Sequence, residues 1–131
     1  MKKTALLLAL AIASAFAHSV TIHIQDIGNT KGKLLVKLES YDGSKLQPFK
    51  KISLIPNTKG ITHTFNNIEN GKYAISAYHD ENSNNKLDKN FIGIPKEDYG
   101  FSNNPSKGLS PPKMEEKIFE VNRDVSLTVS L

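Results

Sequence analysis

Apolar and polar residues alternate along most of the chain. Val20, Ile22 and Ile24 are separated by polar residues, and residues 125–131 repeat the same pattern. A period of two is typical of half-buried β-strands, because successive side chains of a strand point to opposite faces. The pattern predicts about seven short strands with turn signals between them and no amphipathic helix, as in an antiparallel β-sandwich. The predicted strands begin near residues 20, 34, 52, 61, 73, 118 and 125.

Two segments rich in Gly and Asn separate predicted strands. Residues 28–32 read as a hairpin turn between the first two strands, and Asn70-Gly71 reads as a turn before the fifth. Asn-Gly is a dipeptide strongly associated with tight turns. Since residues 28–32 read as a hairpin turn, we expect the strands on either side of them to pair directly with each other.

The alternation is interrupted by an insert at residues 80–115. The insert is rich in Gly, Asn, Pro, Lys and Ser, and it carries isolated apolar residues such as Phe91, Ile94 and Tyr99. Loops of this length without secondary structure are uncommon in a compact domain and are usually functional or disordered. Because the apolar residues argue against disorder, we expect an ordered loop that folds back on the sandwich.

The first 17 residues have the pattern of a secretory signal peptide. Lys2 and Lys3 precede an apolar run at residues 5–13, and an A-x-A site ends at Ala17. The apolar run is shorter than the ~20 residues of a transmembrane helix. We therefore expect a periplasmic or secreted protein, cleaved near Ala17, with one domain at residues 18–131 and no membrane span.

Composition narrows the classes of function. The chain has a net charge of +4 at pH 7 and no Cys. Two of these four charges belong to the signal peptide, and the remaining Lys residues are scattered without a basic block, so nothing favours nucleic acid as a partner. The sequence also lacks the G-x-S-x-G and H-E-x-x-H motifs of hydrolases. An enzyme is therefore the less favoured class.

The motifs that follow the fifth predicted strand resemble those of a known family. His79-Asp80 ends that strand, Asn-x-Lys-Leu-Asp ends at Asp88, and Gly-x-Pro-x-Glu-x-Tyr-Gly-Phe-Ser-Asn occupies residues 93–103. This order resembles the bacterial domain-of-unknown-function family 2141, and the strand pattern on both sides also fits. The resemblance implies an exported β-sandwich of transthyretin-like or immunoglobulin-like type, and it implies no reaction. The family usually has Gly where this chain has Ser83 and Asn85.

Oxygen-bearing side chains recur at short intervals at the start of the insert, in the rhythm of a calcium-binding loop. The pattern disfavours an EF-hand. Its sixth position wants Gly and has Asn85, its twelfth wants Glu and has Phe91, and no helix pattern flanks the loop. A calcium loop that joins strands stays open, as does a cluster of Asx turns in which each short side chain bonds the nearby backbone. The candidate calcium ligands are Asp80, Asn82, Asn84, Lys86 through its carbonyl, Asp88, and either Glu97 or Asp98.

The aromatic end of the insert is the candidate recognition surface. Tyr99, Phe101, Ser102 and Asn103 would face a ligand, because loops on a rigid sandwich are where binding usually occurs. The alternative is that the two aromatic rings anchor the insert to the core. The favoured function is an exported binding or interaction module whose partner is a small molecule, a glycan or a protein.

Two other functions stay open. A mature N-terminal His18 could bind copper together with His23 or His63, because imidazole suits copper. A carbohydrate-active enzyme could use the acidic residues of the insert as its pair of carboxylates. The final segment, residues 125–131, has no Pro or Lys to protect a strand edge, so a homo-oligomer paired through that edge is also open.

Overall fold

The computed structural model describes residues 17–93, 95–108 and 110–131, and residues 1–16 of the predicted signal peptide lie outside these ranges. The strands are β1 (Ala17–Gln25), β2 (Lys33–Tyr41), β3 (Leu46–Leu54), β4 (Ile61–Glu69), β5 (Gly71–Asp80), β6 (Tyr99–Phe101), β7 (Phe119–Val121) and β8 (Val125–Ser130). One short helix, α1, spans Met114–Lys117.

The strands form two sheets that enclose the core, so the predicted all-β sandwich is confirmed. The smaller sheet has the order β4-β1-β8, and the larger has the order β3-β2-β5-β6, with β7 also paired to β5. Every pair is antiparallel except β1 with β8. The parallel pair arises because the last strand returns beside the first in the same direction.

The hairpin predicted at residues 28–32 is wrong. β1 belongs to the smaller sheet and β2 to the larger, so this turn carries the chain from one sheet to the other. The chain changes sheets again between β4 and β5, next to Asn70-Gly71. Alternation and turn residues indicate that the chain reverses, but they do not indicate whether the two strands pair or pack face to face.

The core lies between the two sheets and is built from the alternating apolar residues. Paired strands place these residues on one face, because directly opposite residues of a sheet share a face. The sequence pattern predicts most of this set, since its period is that of a strand with one buried face, but it does not predict Ile68, which follows Phe65 by three residues. The fully buried members are Val20, Ile22, Leu34, Val36, Leu38, Ile68, Ile75, Val121 and Val129.

The insert adds a strand that the alternation does not predict. β6 is only three residues long, and it pairs with β5 through Tyr78–Tyr99 and Ser76–Phe101. Gly100 faces inward, where an added Cβ would collide with the backbone of Ser130. Strand β6 therefore lies close against the end of β8, and the insert is ordered along this edge of the sandwich.

The outer edge of β8 is partly covered by the insert. The side-chain amide of Asn104 donates to the Thr128 carbonyl at 2.8 Å and accepts from the Ser130 N–H at 2.9 Å. These two bonds replace those of a neighbouring strand and protect the edge from pairing with another chain. Among the described parts of the chain, no helix is long and apolar enough to cross a bilayer.

Candidate functional site

The insert begins with a buried carboxylate at the end of β5. Asp80 is fully buried. Its two oxygens accept the backbone N–H groups of Asn84, at 3.1 Å, and Asn85, at 2.7 Å. The Asp80 carbonyl also accepts the N–H of Ser83. One residue therefore organises the whole first turn of the insert by satisfying three backbone donors.

Glu97 closes the loop that Asp80 opens. Its side chain is 8% exposed. One carboxylate oxygen accepts the Glu81 N–H at 2.7 Å, and the other accepts the Asp88 N–H at 2.9 Å. Glu97 therefore joins the start and the end of the loop at residues 81–88. Asp98 does not take this role, and its backbone carbonyl instead accepts the His79 N–H.

Asp88 lies between two asparagine amides. The Nδ2 groups of Asn82 and Asn84 donate to its two oxygens at 2.6 and 2.8 Å. The hydrogen bond from Asn84 is the main reason why the pKa of Asp88 is lowered from its ordinary value of 3.8. This carboxylate therefore stays ionised at neutral pH, which suits an acceptor and does not suit a general acid.

The candidate calcium ligands thus meet in one loop through hydrogen bonds. Asn82 and Asn84 each accept the backbone N–H two residues on, as in Asx turns, and Asp80 and Glu97 accept further backbone N–H groups of the loop. Within residues 17–93, 95–108 and 110–131, no three His, Cys, Asp or Glu side chains form a group that could hold a metal ion. A calcium ion in this loop would therefore depend on the asparagine and backbone oxygens as well as the acids.

The two positions at which the family resemblance predicts Gly both have a left-handed backbone. Ser83 has φ of 56° and Asn85 has φ of 64°. Asn tolerates this region better than Ser, because its short polar side chain can bond locally. Having Ser in place of Gly at position 83 therefore lowers the stability of the fold, whereas having Asn in place of Gly at position 85 lowers it little.

Replacing Ser83 with Gly is expected to raise the free energy of unfolding by about 1 kcal/mol, because glycine adopts positive φ without steric cost. Urea unfolding of both proteins measures the change. The matched control is Ser106→Gly, at another exposed Ser of the insert whose φ is not positive. A gain no larger at Ser83 than at Ser106 would contradict the assignment of strain to Ser83.

A groove of about 440 Å³ lies between the larger sheet and the insert. The strand register places Tyr78 beside Tyr99, and Ser76 beside Phe101, on the face of the sheet that points away from the core. The rings of Tyr99 and Phe101 are half-exposed and meet edge to face, with centroids 5.7 Å apart. A second hollow, of about 140 Å³, continues the groove past the same two rings.

The groove is basic. Lys37 of β2 and Lys86 and Lys89 of the insert line it, and none of the described lining residues is Asp or Glu. Two further ammonium groups stand over the aromatic rings, Lys107 at 5.3 Å from the centre of Tyr99 and Lys117 at 4.9 Å from that of Phe101. A ligand in this groove would meet flat apolar rings surrounded by positive charge.

Burial raises the pKa of Tyr78, and the charges of Asp80 and Glu97 raise it further. The hydroxyl of Tyr78 therefore remains protonated through neutral and mildly alkaline pH. Since Tyr78 also lines the groove, it offers a neutral hydrogen-bond donor on the sheet side of the groove.

Ser102 and Asn103 lie away from the groove and hold the chain near α1. Ser102 is fully buried, and its hydroxyl accepts the Ile75 N–H and donates to the Lys117 carbonyl. The Asn103 amide donates to the Ile118 carbonyl at 2.9 Å. The four residues of the predicted recognition surface are therefore divided, with only Tyr99 and Phe101 at the groove.

The three candidate copper ligands lie apart from one another. His18 and His23 are five residues apart on β1, which corresponds to about 17 Å of strand. Both rings of these residues have hydrogen-bond partners, and His23 lies between the hydroxyls of Thr62 and Ser126. His63 pairs opposite Ile22, so it occupies the other face of the sheet from His23.

The residues that sequence analysis missed are the basic ones around the groove. Lys37 alternates with Val36 and Leu38, and its place on the outer face follows from the strand period. Its nearness to Lys89 and Tyr99 depends on β6 pairing with β5. The sequence therefore indicates which face of its strand a residue occupies. It does not indicate which strand will lie beside it in the sheet.

These features define a small β-sandwich domain with an insert that covers part of one face of the larger sheet. A family model described as "Uncharacterized protein conserved in bacteria (DUF2141)" matches residues 22–128. The chain belongs to this family, as the motifs at residues 79–103 indicated. No curated protein and no solved structure matches the chain.

Proposed function

We propose that this protein is an exported binding module that takes a small anionic ligand with a flat apolar face. The observation that carries the proposal is the groove, in which two half-exposed aromatic rings are surrounded by lysines and no described lining residue is acidic. An acidic sugar has the required chemistry, because its ring carries both an apolar C–H face and a carboxylate. Export rests on the predicted signal peptide at residues 1–17.

The contributions of rings and charges to binding differ. Aromatic rings in an open groove supply contact area and little directional preference. Lysines supply charge attraction that weakens as salt is added. The Tyr78 hydroxyl and the Ser76 side chain add polar contacts that orient the ligand on the sheet. Such a groove favours moderate affinity and selects for charge more than for exact shape.

The fixed geometry of the insert supports binding. One wall of the groove is the rigid outer face of β5 and β6, and the other includes Lys86 and Lys89. Asp80 and Glu97 hold the intervening backbone with partly buried hydrogen bonds. A wall that is already ordered does not lose conformational entropy when the ligand binds.

Replacing Tyr99 with Ala is expected to weaken the binding of a trigalacturonate probe by about tenfold, since a stacked aromatic contact contributes on the order of 1 kcal/mol or more. Isothermal titration at low salt measures the affinity. A neutral maltotriose probe of the same length should bind the parent protein much more weakly. Lys89→Gln should lower the affinity and reduce its dependence on salt.

The matched control is Phe49→Ala, which removes another half-exposed aromatic ring from the larger sheet. Phe49 lies on edge strand β3 and lines a different hollow beside Pro48 and Lys51. Its substitution should leave the affinity for trigalacturonate unchanged. Equal binding of the charged and neutral probes, or loss of binding with Phe49→Ala in place of Tyr99→Ala, would refute the proposed groove.

We propose, as a second function of the insert, that the loop at residues 80–88 binds calcium weakly. The observation that favours it is the convergence of Asp80, Asn82, Asn84 and Asp88, with Glu97 supplying a further carboxylate from the end of the loop. Rotation of the two asparagine amides would direct their oxygens toward a cation near Asp88. Extracellular calcium modules with similar ligands have dissociation constants of about 0.1–1 mM.

Calcium at 10 mM is expected to raise the melting temperature of the protein by roughly 4–12 °C, because binding to the folded state alone adds about 1–3 kcal/mol. Differential scanning calorimetry measures the shift. Magnesium at the same concentration is the control for ionic strength, and it should give a smaller shift. Asp88→Asn should remove the calcium effect, and an equal shift in this variant would exclude the loop as the site.

A further inference from the structure

Two large apolar side chains project from the far end of the insert. Phe91 is 98% exposed and Ile92 is 65% exposed. They are adjacent in sequence, so together they form one apolar tip, here called the Phe91–Ile92 tip. Neither residue lines the groove. Packing in the core or lining of the groove therefore does not explain why these two residues are apolar.

The tip is held by a defined turn. The Gly93 N–H donates to the Asn90 carbonyl at 3.0 Å, and the Ile92 N–H donates to the Asn90 side chain. A bridge between Lys89 and Pro95 joins the two sides of this turn. Phe91 and Ile92 thus occupy the two central positions of a β-turn, where Gly, Pro, Asn, Asp and Ser normally dominate. The turn itself does not require Phe and Ile at these two positions. We therefore look for an interaction outside the turn that favours apolar side chains.

The charges around the tip are positive. Lys86, Lys89 and Lys96 are exposed on the two sides of the turn. Of the acids in the same segment, Glu97 is buried on backbone donors, Asp88 is held by the amides of Asn82 and Asn84, and Asp98 is exposed beside Gly28. The segment therefore presents apolar side chains at its end and ammonium groups behind them.

We infer that the Phe91–Ile92 tip inserts into the interface of an anionic lipid bilayer. Phe and Ile would enter the boundary between headgroups and acyl chains, and the three lysines would meet the lipid phosphates. Two apolar side chains alone bind a bilayer weakly, and basic residues near an anionic surface supply the second attraction that such anchoring needs. This inference does not depend on the ligand proposed for the groove.

The chain contains no Trp, so Phe91→Trp places a single fluorescent reporter at the tip. Residues 17–131 are used for the assay, because they contain both sheets and the whole core, and the apolar leader would bind vesicles by itself. Vesicles of phosphatidylcholine with added phosphatidylglycerol should shift the emission of this Trp to shorter wavelength. Vesicles of phosphatidylcholine alone should give little shift, since they lack the negative charge.

The matched control is Ile55→Trp, which places the reporter at another apolar residue of high exposure, 84%, outside the insert. Its emission should not change with either vesicle. In sedimentation with anionic vesicles, Phe91→Ser combined with Ile92→Ser should reduce the bound fraction by about tenfold or more. Lys96→Gln should reduce it about fivefold, and this residue does not line the groove.

Several outcomes would overturn the inference. Equal partitioning of the parent protein onto neutral and anionic vesicles would remove the role of the lysines. An unchanged bound fraction in the Phe91→Ser, Ile92→Ser variant would remove the role of the tip. Concentration-dependent dimerisation that is lost in this variant, without vesicle binding by the parent, would assign the tip to self-association in place of a membrane.

Discussion

Replacing Glu97 with Ala is expected to lower the free energy of unfolding by roughly 2–4 kcal/mol. The carboxylate is almost fully buried and accepts the N–H groups of Glu81 and Asp88. Removing it leaves two backbone donors without their partner, and each such donor costs about 1–3 kcal/mol when it is shielded from water. Urea unfolding followed by circular dichroism measures the change.

Asp98→Ala is the matched control for Glu97→Ala. It removes an exposed carboxylate from the next residue, and the contact that Asp98 makes with His79 uses its backbone carbonyl, which alanine keeps. Its effect should stay within about 0.5 kcal/mol, as for ordinary surface substitutions. Equal effects of the two variants would contradict the assignment of loop closure to Glu97. Glu97→Gln should fall between them, because one acceptor oxygen remains.

Gly32→Ala is expected to destabilise the fold by about 2–4 kcal/mol. Gly32 has φ of 59°, and an added Cβ would collide with the backbone of Asp80 and Glu81, where the insert begins. A left-handed alanine costs about 1 kcal/mol, and forced displacement of packed backbone adds 1–3 kcal/mol. Because the collision moves the start of the insert, binding in the groove should weaken as well. Thermal unfolding and titration of the groove probe measure the two effects.

Gly43→Ala is the control that separates the cost of a positive φ from the cost of the steric collision. Gly43 also has a positive φ, of 100°, but nothing lies within 4 Å of the position that a Cβ would take. This variant should lose only about 1 kcal/mol, and its groove should bind the probe normally. If Gly32→Ala lowers the free energy of unfolding no more than Gly43→Ala does, then the turn at Gly32 is not closely packed against the start of the insert.

The strands were predictable because one face of each strand is buried. Ile22 and Leu38 sit in alternating patterns, and both lie in the core. β6 was not predictable from alternation, since it has three residues and its central one is Gly100. Its order depends on pairing with β5 and on packing against Ser130, which are distant in sequence. Local pattern therefore carries information about the faces of strands and little about their neighbours.

The roles of residues in the candidate site were also only partly predictable from the sequence. The charge and spacing of Asp80 and Glu97 predict cation ligands, and the carboxylate of each also accepts two backbone N–H groups. Both uses require the same oxygens, so a sequence pattern alone does not distinguish them. The sequence predicts that Ser102 faces a ligand, but Ser102 lies buried beside Ile75. A hydroxyl within a polar loop does not reveal which backbone group it will contact.

Hydrogen bonds within the insert order it, and the ordered insert forms one wall of the groove. Amide hydrogen exchange in the presence of a metal chelator measures this order directly. The N–H groups of Glu81, Asn85 and Asp88 should exchange on the order of 100-fold more slowly than in an unfolded chain, because each donates to a carboxylate of Asp80 or Glu97. Exchange of these three amides at the unfolded rate, while the amides of β5 remain protected, would show that these hydrogen bonds do not order the insert.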